Sequence, residues 1–216
     1  MQLAATIDRA KYDVFRWRYE LSIPKKLALA LGMAVLTGLL AQVRFPLPWS
    51  PVPITGQTFA VLLAGVLLGR WWGGASMAVY AGLGFIGVPW FSGWAGGFGA
   101  TGGYIIGFIL AALFLGHFTD RYIRSRSFVS MLGLMLFANF ILIYIPGLIW
   151  LGLWLKMVAG APAASLGALM GMGLLPFIVG DITKAVLAAT IARGVTPKLA
   201  YNGEVDKGKW ANWRLP

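Results

Sequence analysis

Asp181 and Lys184 are the two charged residues of an apolar stretch, residues 174–189, that is almost long enough to cross a lipid bilayer. A charge at the centre of a bilayer costs at least about 2.5–3.5 kcal/mol, so such residues pair or mark the path of a substrate or ion. Their i,i+3 spacing places the acid and the base on one face of a helix. Lys184 could neutralise a ligand carboxylate, and Asp181 could accept hydrogen bonds from ligand N–H groups. A purely structural ion pair is the alternative.

Two further segments could supply polar contacts to a ligand. Thr101, Gly102, Gly103 and Tyr104 begin an apolar run, and the free backbone N–H groups of a helix N-terminus can hold an anionic or polar group. Close helix packing through the two glycines is the alternative. Gln57 follows a proline-rich segment and can point an amide into a cavity, although this segment also suits a helix cap.

Four other residues are weaker candidates for the same site. Asn139 interrupts a long apolar stretch, and a hydrogen bond to a neighbouring helix competes with ligand contact there. Trp90 and Phe91 could cover an apolar pocket, whereas a tryptophan at this position also suits the aromatic belt of a membrane protein. Gly180, next to Asp181, would let a backbone or a ligand approach closely.

The composition predicts an integral membrane protein. Hydrophobic residues make up 59% of the 216 residues and the mean hydropathy is +0.76, whereas soluble domains are about 45–50% apolar. The chain has no cysteine and a single histidine, His117, so we predict no disulfide and no thiolate or histidine-cluster metal site. It also lacks a P-loop, an H-E-x-x-H motif and a G-x-S-x-G elbow, so we predict neither an enzyme nor a cofactor.

We predict an all-α bundle of six membrane spans, at about 26–43, 56–70, 74–89, 101–118, 128–150 and 174–193. They form one membrane domain, residues 25–195, between an interfacial or cytosolic segment, residues 1–24, and a cytosolic tail, residues 196–216. Residues 45–55 contain four prolines and cannot form a regular helix, and residues 88–103 contain six glycines. Residues 156–173 suit an external connection or a helix lying in the interface.

The basic residues predict the orientation of this bundle. Fifteen of the eighteen lysines and arginines lie in the two terminal segments and in the second-to-third and fourth-to-fifth connections. The positive-inside rule then places both termini in the cytoplasm, which requires an even number of spans. The net charge of +11 is therefore a topology signal that also attracts anionic membrane lipid, and we predict no nucleic-acid binding.

Three motifs, taken together and in this order, resemble the BioY family. They are Pro51-Val52-Pro53-Ile54-Thr55-Gly56-Gln57-Thr58, Gly99-Ala100-Thr101-Gly102-Gly103-Tyr104 and Pro176-Phe177-Ile178-Val179-Gly180-Asp181-Ile182-Thr183-Lys184. The resemblance covers about residues 25–195. Ala100 and Val179 stand where the family commonly has proline, and the loop before the fourth span is shorter than usual.

The resemblance implies a biotin-binding S component of an energy-coupling factor transporter, a multi-pass protein of a prokaryotic cytoplasmic (inner) membrane. Its implied partners are biotin, a transmembrane coupling subunit and two ATPase subunits. Gly180, Asp181 and Lys184 would contribute to the biotin site. Trp90, Phe91 and Tyr104 could cover the apolar ring of biotin. Lys184 could meet the carboxylate or the ureido oxygen of biotin. The alternatives are an S component for another vitamin and a structural membrane protein in which Asp181 and Lys184 form a packing ion pair.

Ala30 and Ala34 lie four residues apart in the first predicted span. Small side chains at this spacing let two helices approach closely. The resemblance implies that such positions face the coupling subunit, which makes both alanines candidates for the subunit contact.

Overall fold

The computed structural model describes residues 2–157, 160 and 164–210. Nine α-helices and one β-hairpin cover most of this part of the chain. The helices are α1 (Gln2–Glu20), α2 (Ile23–Gln42), α3 (Gln57–Phe85), α4 (Gly102–Arg121), α5 (Phe128–Phe137), α6 (Tyr144–Met157), α7 (Leu166–Gly173), α8 (Ile178–Val195) and α9 (Lys207–Trp210). The strands are β1 (Arg44–Leu47) and β2 (Ser50–Thr55). A π-helical turn, Ala138–Ile143, joins α5 and α6 into one long helix.

The α3 element folds back on itself at Gly69. Its φ of +81° lies in the left-handed region, and a Cβ there would also lie 2.7 Å from an Asp120 carboxylate oxygen. Gln57 donates to the Tyr80 hydroxyl at 2.6 Å, and a Cβ on Gly73 would lie 2.8 Å from the Ala64 carbonyl oxygen. Residues 57–68 and 70–85 are therefore two antiparallel arms, the second and third predicted spans.

Five helical stretches have the length and composition to cross a membrane: Ile23–Gln42, Gln57–Phe85, Gly102–Arg121, Phe128–Met157 and Leu166–Val195. Because the second stretch is folded in two, the bundle has the six membrane helices that the sequence predicts. The fifth helix is longer than predicted and ends at Met157. The last membrane helix, α8, begins at Ile178 because Pro176 lies in a separate 3₁₀ turn, Leu175–Phe177.

The proline-rich connection, which the sequence predicts only to be non-helical, forms a hairpin. Arg44 pairs with Thr55 and Leu47 pairs with Ser50 in an antiparallel register. Proline favours extended backbone, and a two-stranded ribbon has outer edges where the missing N–H costs no sheet hydrogen bond. The Ser50 hydroxyl donates to the Met172 carbonyl at 2.7 Å, which ties the hairpin to α7.

Ala30 and Ala34 lie in the core, with 2% and 0% of their surface exposed. This face of α2 packs against α3, where small side chains permit close approach. The two methyl groups are thus covered by this chain itself. The partner contact predicted there stays a prediction, and a partner would reach α2 through its exposed face, which includes Leu31 and Val35.

Candidate ligand-binding site

A cavity lies at the end of the bundle that the β-hairpin covers. It encloses about 490 Å³ of unoccupied space, part of it open at the mouth. The cavity lies between β2, the start of α3, the start of α4, α6 and α8. Its lining residues are Val52, Pro53, Thr55, Gln57, Thr58, Thr101, Tyr104, Ile105, Phe108, Ile143, Tyr144, Phe177, Asp181 and Lys184.

The Asp181 carboxylate is 2% exposed and both of its oxygens have protein partners. Oδ2 accepts from the Tyr144 hydroxyl at 2.5 Å and from the Asn139 amide at 2.9 Å. Oδ1 lies 2.5 Å from the Lys184 ammonium and accepts from the Thr58 hydroxyl at 3.4 Å. A buried carboxylate is tolerated because it is paired and hydrogen-bonded in this way.

Lys184 borders the cavity, and its side chain is 17% exposed. Besides the ion pair with Asp181, its ammonium donates to the Thr55 carbonyl and to the Thr58 hydroxyl, each at 2.9 Å. An ammonium has three N–H donors, so these contacts use all of them. Lys184 thereby links α8 to the junction between the β-hairpin and α3.

The π-helical turn explains how Asn139 and Tyr144 reach the same carboxylate. Residues five apart lie on different faces of a regular α-helix, whereas the i→i+5 bonding of a π turn brings them nearer to one face. Asn139 is fully buried and lies outside the cavity lining, while Tyr144 lines the cavity. The helix-to-helix hydrogen bond predicted as one alternative for Asn139 is present, since its amide donates to Asp181 on α8.

The start of α4 contributes two of its four predicted residues to the lining, Thr101 and Tyr104. The Tyr104 hydroxyl donates to the Gly173 carbonyl at 2.8 Å, and its ring meets that of Tyr144 edge-on at 5.6 Å. Gly102 and Gly103 serve close packing instead. A Cβ at Gly102 would meet the Trp150 indole, and one at Gly103 would collide with the Pro146 carbonyl.

Gln57 lines the cavity and is held at both ends of its amide. Its carbonyl oxygen accepts from the Thr55 hydroxyl at 2.9 Å, while its nitrogen donates to the Tyr80 hydroxyl. Gly180 is outside the lining, and a Cβ built on it would meet no atom within 4 Å. The close approach predicted at Gly180 therefore has no protein partner in this structure.

Trp90 and Phe91 also lie outside the cavity lining. The Trp90 indole donates to the Tyr80 carbonyl at 3.0 Å, and the Phe91 ring packs edge-on against Tyr80. Gln42, at the end of α2, holds this loop by donating to the Phe91 carbonyl at 3.0 Å. These two aromatic residues fix the glycine-rich loop beside the site, and their contact with a ligand stays a prediction.

Sequence reasoning did not list several residues that form the cavity. Thr58 lies one residue beyond Gln57 in the same motif, and Tyr144 lies five residues beyond Asn139 in the same apolar stretch. The apolar wall carried no separate signal, because its members are ordinary core residues by type. They are Val52, Pro53, Ile105, Phe108, Ile143 and Phe177.

The arrangement suits reversible binding of a small molecule that is apolar over most of its length and polar at one end. The lining has one ion pair and a few hydroxyl and amide groups against a largely apolar wall. In the part of the chain that the structure describes, no group of three or more His, Cys, Asp or Glu side chains could hold a metal ion.

Fold and site together define a six-helix integral membrane protein with a ligand cavity at one end of the bundle. Residues 11–201 match the BioY family, and the chain belongs to that family. A solved structure described as the S-component for biotin from an ECF-type ABC transporter is 28% identical. It superposes with a TM-score of 0.68 over 80% of this chain and 93% of its own.

Two curated relatives are also named as BioY proteins. A probable biotin transporter BioY from Methanothermobacter thermautotrophicus is 55% identical over 159 residues, which are 71% of this chain and 100% of the relative. The biotin transporter BioY of Thermotoga maritima is 34% identical over 150 residues, which are 68% of this chain and 82% of the relative.

Proposed function

We propose that this chain is the biotin-binding substrate-capture subunit of a vitamin importer, and not an enzyme. The observation that carries this proposal is the cavity of about 490 Å³ in which Lys184 is the cationic group, against a largely apolar wall. Biotin has an apolar thioether ring and aliphatic chain, a carboxylate and a ureido group. Binding, without covalent chemistry, is all that these groups require.

Lys184 is the group that we propose to contact biotin. It is the more exposed member of its ion pair, and two of its three hydrogen bonds go to Thr55 and Thr58. A ligand oxygen, from either the carboxylate or the ureido group, would replace one of these two acceptors. Because the Thr55 carbonyl belongs to the β-hairpin, such an exchange would couple ligand entry to the position of the hairpin.

Asp181 acts mainly through Lys184 and not by direct contact in this proposal. Its two oxygens already have four partners, from α3, α5–α6 and α8. A ureido N–H could reach it only by displacing one of them. We therefore assign Asp181 the role of orienting the ammonium and compensating its charge, which differs from the direct contact that the sequence suggested.

The remaining wall would cover the apolar part of the vitamin. Phe108 and Ile105 on α4, Ile143 before α6 and Phe177 before α8 face the same cavity from three directions. Tyr104 adds an aromatic face whose hydroxyl is held by Gly173. Burial of apolar ligand surface stabilises a complex by about 25 cal/mol per Å² before the costs of association.

We further propose the cellular setting that the family implies. Fifteen of the eighteen lysines and arginines lie in the terminal segments and in the connections on the same side of the bundle. This distribution supports cytoplasmic termini and an outward-facing cavity in the cytoplasmic (inner) membrane of a prokaryote. A transmembrane coupling subunit and two ATPase subunits would drive reorientation of the loaded subunit. This chain lacks the P-loop that ATP hydrolysis would need, so the partners would hydrolyse the ATP.

Equilibrium binding of biotin to the purified full chain in detergent tests this function. We expect saturable binding, and Lys184→Ala should weaken it about 100-fold, since removing one partner of a buried hydrogen-bonded charge pair costs about 2–5 kcal/mol. Lys156→Ala, which removes an exposed lysine near the end of α6, is the matched control and should bind like wild type. Folded wild type that fails to bind biotin would refute the proposal.

A structural ion pair is the second candidate role for these charges, and the four partners of Asp181 favour it. Asp181→Asn keeps the shape of the side chain and separates the two roles. A loss of thermal stability with unchanged biotin affinity would assign the pair to packing. An S component for another vitamin is tested by competition, since a different vitamin would then displace labelled biotin at lower concentration than biotin does.

A further inference from the structure

A second cleft, at the end of the bundle opposite the biotin cavity, concentrates positive charge. Its larger lobe encloses about 690 Å³ of unoccupied space, partly open to the outside, and includes Arg70, Trp71, His117 and Arg121. An adjoining lobe shares Arg70 and Trp71 and adds Lys26. Arg70 follows the Gly69 turn, Arg121 ends α4 and Lys26 lies in the first turn of α2, so the cleft lies at one rim of the bundle.

The charges in this cleft do not cancel. Its single carboxylate, Asp120, accepts from Arg18 at 2.7 Å and from the Arg70 backbone N–H at 2.9 Å. Arg18 thus compensates Asp120. Among the residues that the structure describes, Lys26, Arg70 and Arg121 have no carboxylate partner in an ion pair. The cleft therefore carries an excess of three positive charges.

Two features position these charges for a lipid and not for a dissolved anion. The Trp71 side chain is 69% exposed, and the Arg70 guanidinium lies 4.6 Å from the centre of its ring. Tryptophan is enriched at the level of the lipid head groups, and basic pockets between membrane helices bind anionic head groups. The Arg70 guanidinium also lies 3.4 Å from His117 Nδ1, which holds it toward α4.

We infer that this cleft binds the phosphodiester head group of an anionic phospholipid from the leaflet at the basic end of the bundle. Arg70 and Arg121 face the phosphate, and Lys26 adds charge from α2. Trp71 lies against the upper part of the acyl chains. The bound lipid would bridge α2, the Gly69 turn and α4, three elements that meet at this rim.

Native mass spectrometry of the full chain in a nonionic detergent tests this inference. The protein is titrated with phosphatidylglycerol or with phosphatidylcholine of the same acyl chains. We expect at least about thirtyfold tighter binding of phosphatidylglycerol, since each basic residue near an anionic surface contributes about fivefold in affinity. The double variant Arg70→Gln/Arg121→Gln should weaken phosphatidylglycerol binding about thirtyfold and leave phosphatidylcholine binding unchanged.

Lys198→Gln is the matched control, because it removes an exposed charge from the C-terminal segment and lies outside the cleft. It should retain the preference for phosphatidylglycerol, and biotin binding should report correct folding of every variant. Equal affinity for the two lipids, or an equal loss in Lys198→Gln, would overturn the inference. Displacement of the lipid by an equal concentration of glycerol phosphate would also overturn it in favour of a site for soluble anions.

Discussion

Two buried ion pairs lie at opposite ends of this bundle and differ in how completely they are covered. The side chains of Arg126 and Glu204 are 1% and 0% exposed, and they join the segment before α5 to the C-terminal segment. Arg126 also donates to the carbonyls of Thr119 and Leu199, while Glu204 accepts from the Tyr201 backbone N–H. All of these partners belong to the protein.

The Asp181–Lys184 pair has the same chemistry but borders a cavity. Lys184 keeps 17% of its side chain exposed, and a carbonyl and a hydroxyl at the cavity wall occupy its other donors. A buried pair that is completely enclosed can only fix the fold. A buried pair with one partly exposed member can exchange a protein contact for a ligand contact and stay buried.

Breaking the enclosed pair should give the largest effect on stability. Glu204→Ala leaves a buried guanidinium without its charge partner, which costs about 3–5 kcal/mol. At about 2–4 °C per kcal/mol for a chain of this size, Tm should fall by about 6–20 °C in a thermal unfolding scan. Biotin affinity, measured well below Tm, should stay within about twofold of wild type, because the pair lies at the far end from the cavity.

The exposed pair between Arg16 and Glu20 supplies the control for this comparison. Its side chains are 58% and 62% exposed and lie one helical turn apart. Such exposed pairs contribute little to stability, so Glu20→Ala should shift Tm by no more than about 2 °C. Equal shifts in Glu20→Ala and Glu204→Ala would show that the enclosed pair contributes nothing beyond a surface pair.

Glu204→Gln should show a smaller effect that depends on pH. Burial alone would raise the pKa of Glu204, but hydrogen bonds from Arg126 and from the Tyr201 and Asn202 backbone N–H groups outweigh it and lower the pKa below its ordinary 4.5. A carboxyl group with a depressed folded-state pKa stabilises the protein above its unfolded pKa. That contribution is lost as the pH falls through the folded pKa.

Wild type should therefore exceed Glu204→Gln in stability by about 1.5–3 kcal/mol at pH 6–8, the usual contribution of hydrogen bonds to a charged group. The gap in Tm should narrow as the pH is lowered below 4.5, because protonated glutamate and glutamine are then alike in charge. A gap that stays constant down to pH 3 would show that the ionised form of Glu204 has no special role.

The two pairs also differ in how far sequence reasoning could find them. Asp181 and Lys184 stand out because a charge is costly within an apolar run, and their spacing alone pairs them. Arg126 and Glu204 lie 78 residues apart in polar segments, where a charge is ordinarily solvated. Nothing in the local sequence pairs them, so the sequence predicts for Arg126 only a contribution to the topology signal.

The rest of the fold also divides into elements that the sequence predicts and elements that it does not. Hydropathy and the basic residue at Arg70 predict a break between the second and third spans, and the structure confirms it as the turn at Gly69. The β-hairpin was missed because four prolines in eleven residues exclude a helix without specifying a pairing partner. The π-helical turn at Ala138–Ile143 was missed because its composition is that of an ordinary apolar helix.

Tyr144→Phe should give the smallest effect and tests whether the Asp181–Lys184 pair is arranged for a ligand. The change removes one of the two donors to Asp181 Oδ2 and leaves the Asn139 amide and the aromatic ring in place. A less constrained Asp181 orients Lys184 less well, so biotin affinity should fall about fivefold to tenfold, the usual contribution of one hydrogen bond. Tyr122→Phe, which alters a tyrosine that follows α4 at the far end, is the control and should bind biotin like wild type. If Tyr144→Phe lowers Tm while biotin affinity is unchanged, the cluster around Asp181 acts like the enclosed pair at the other end.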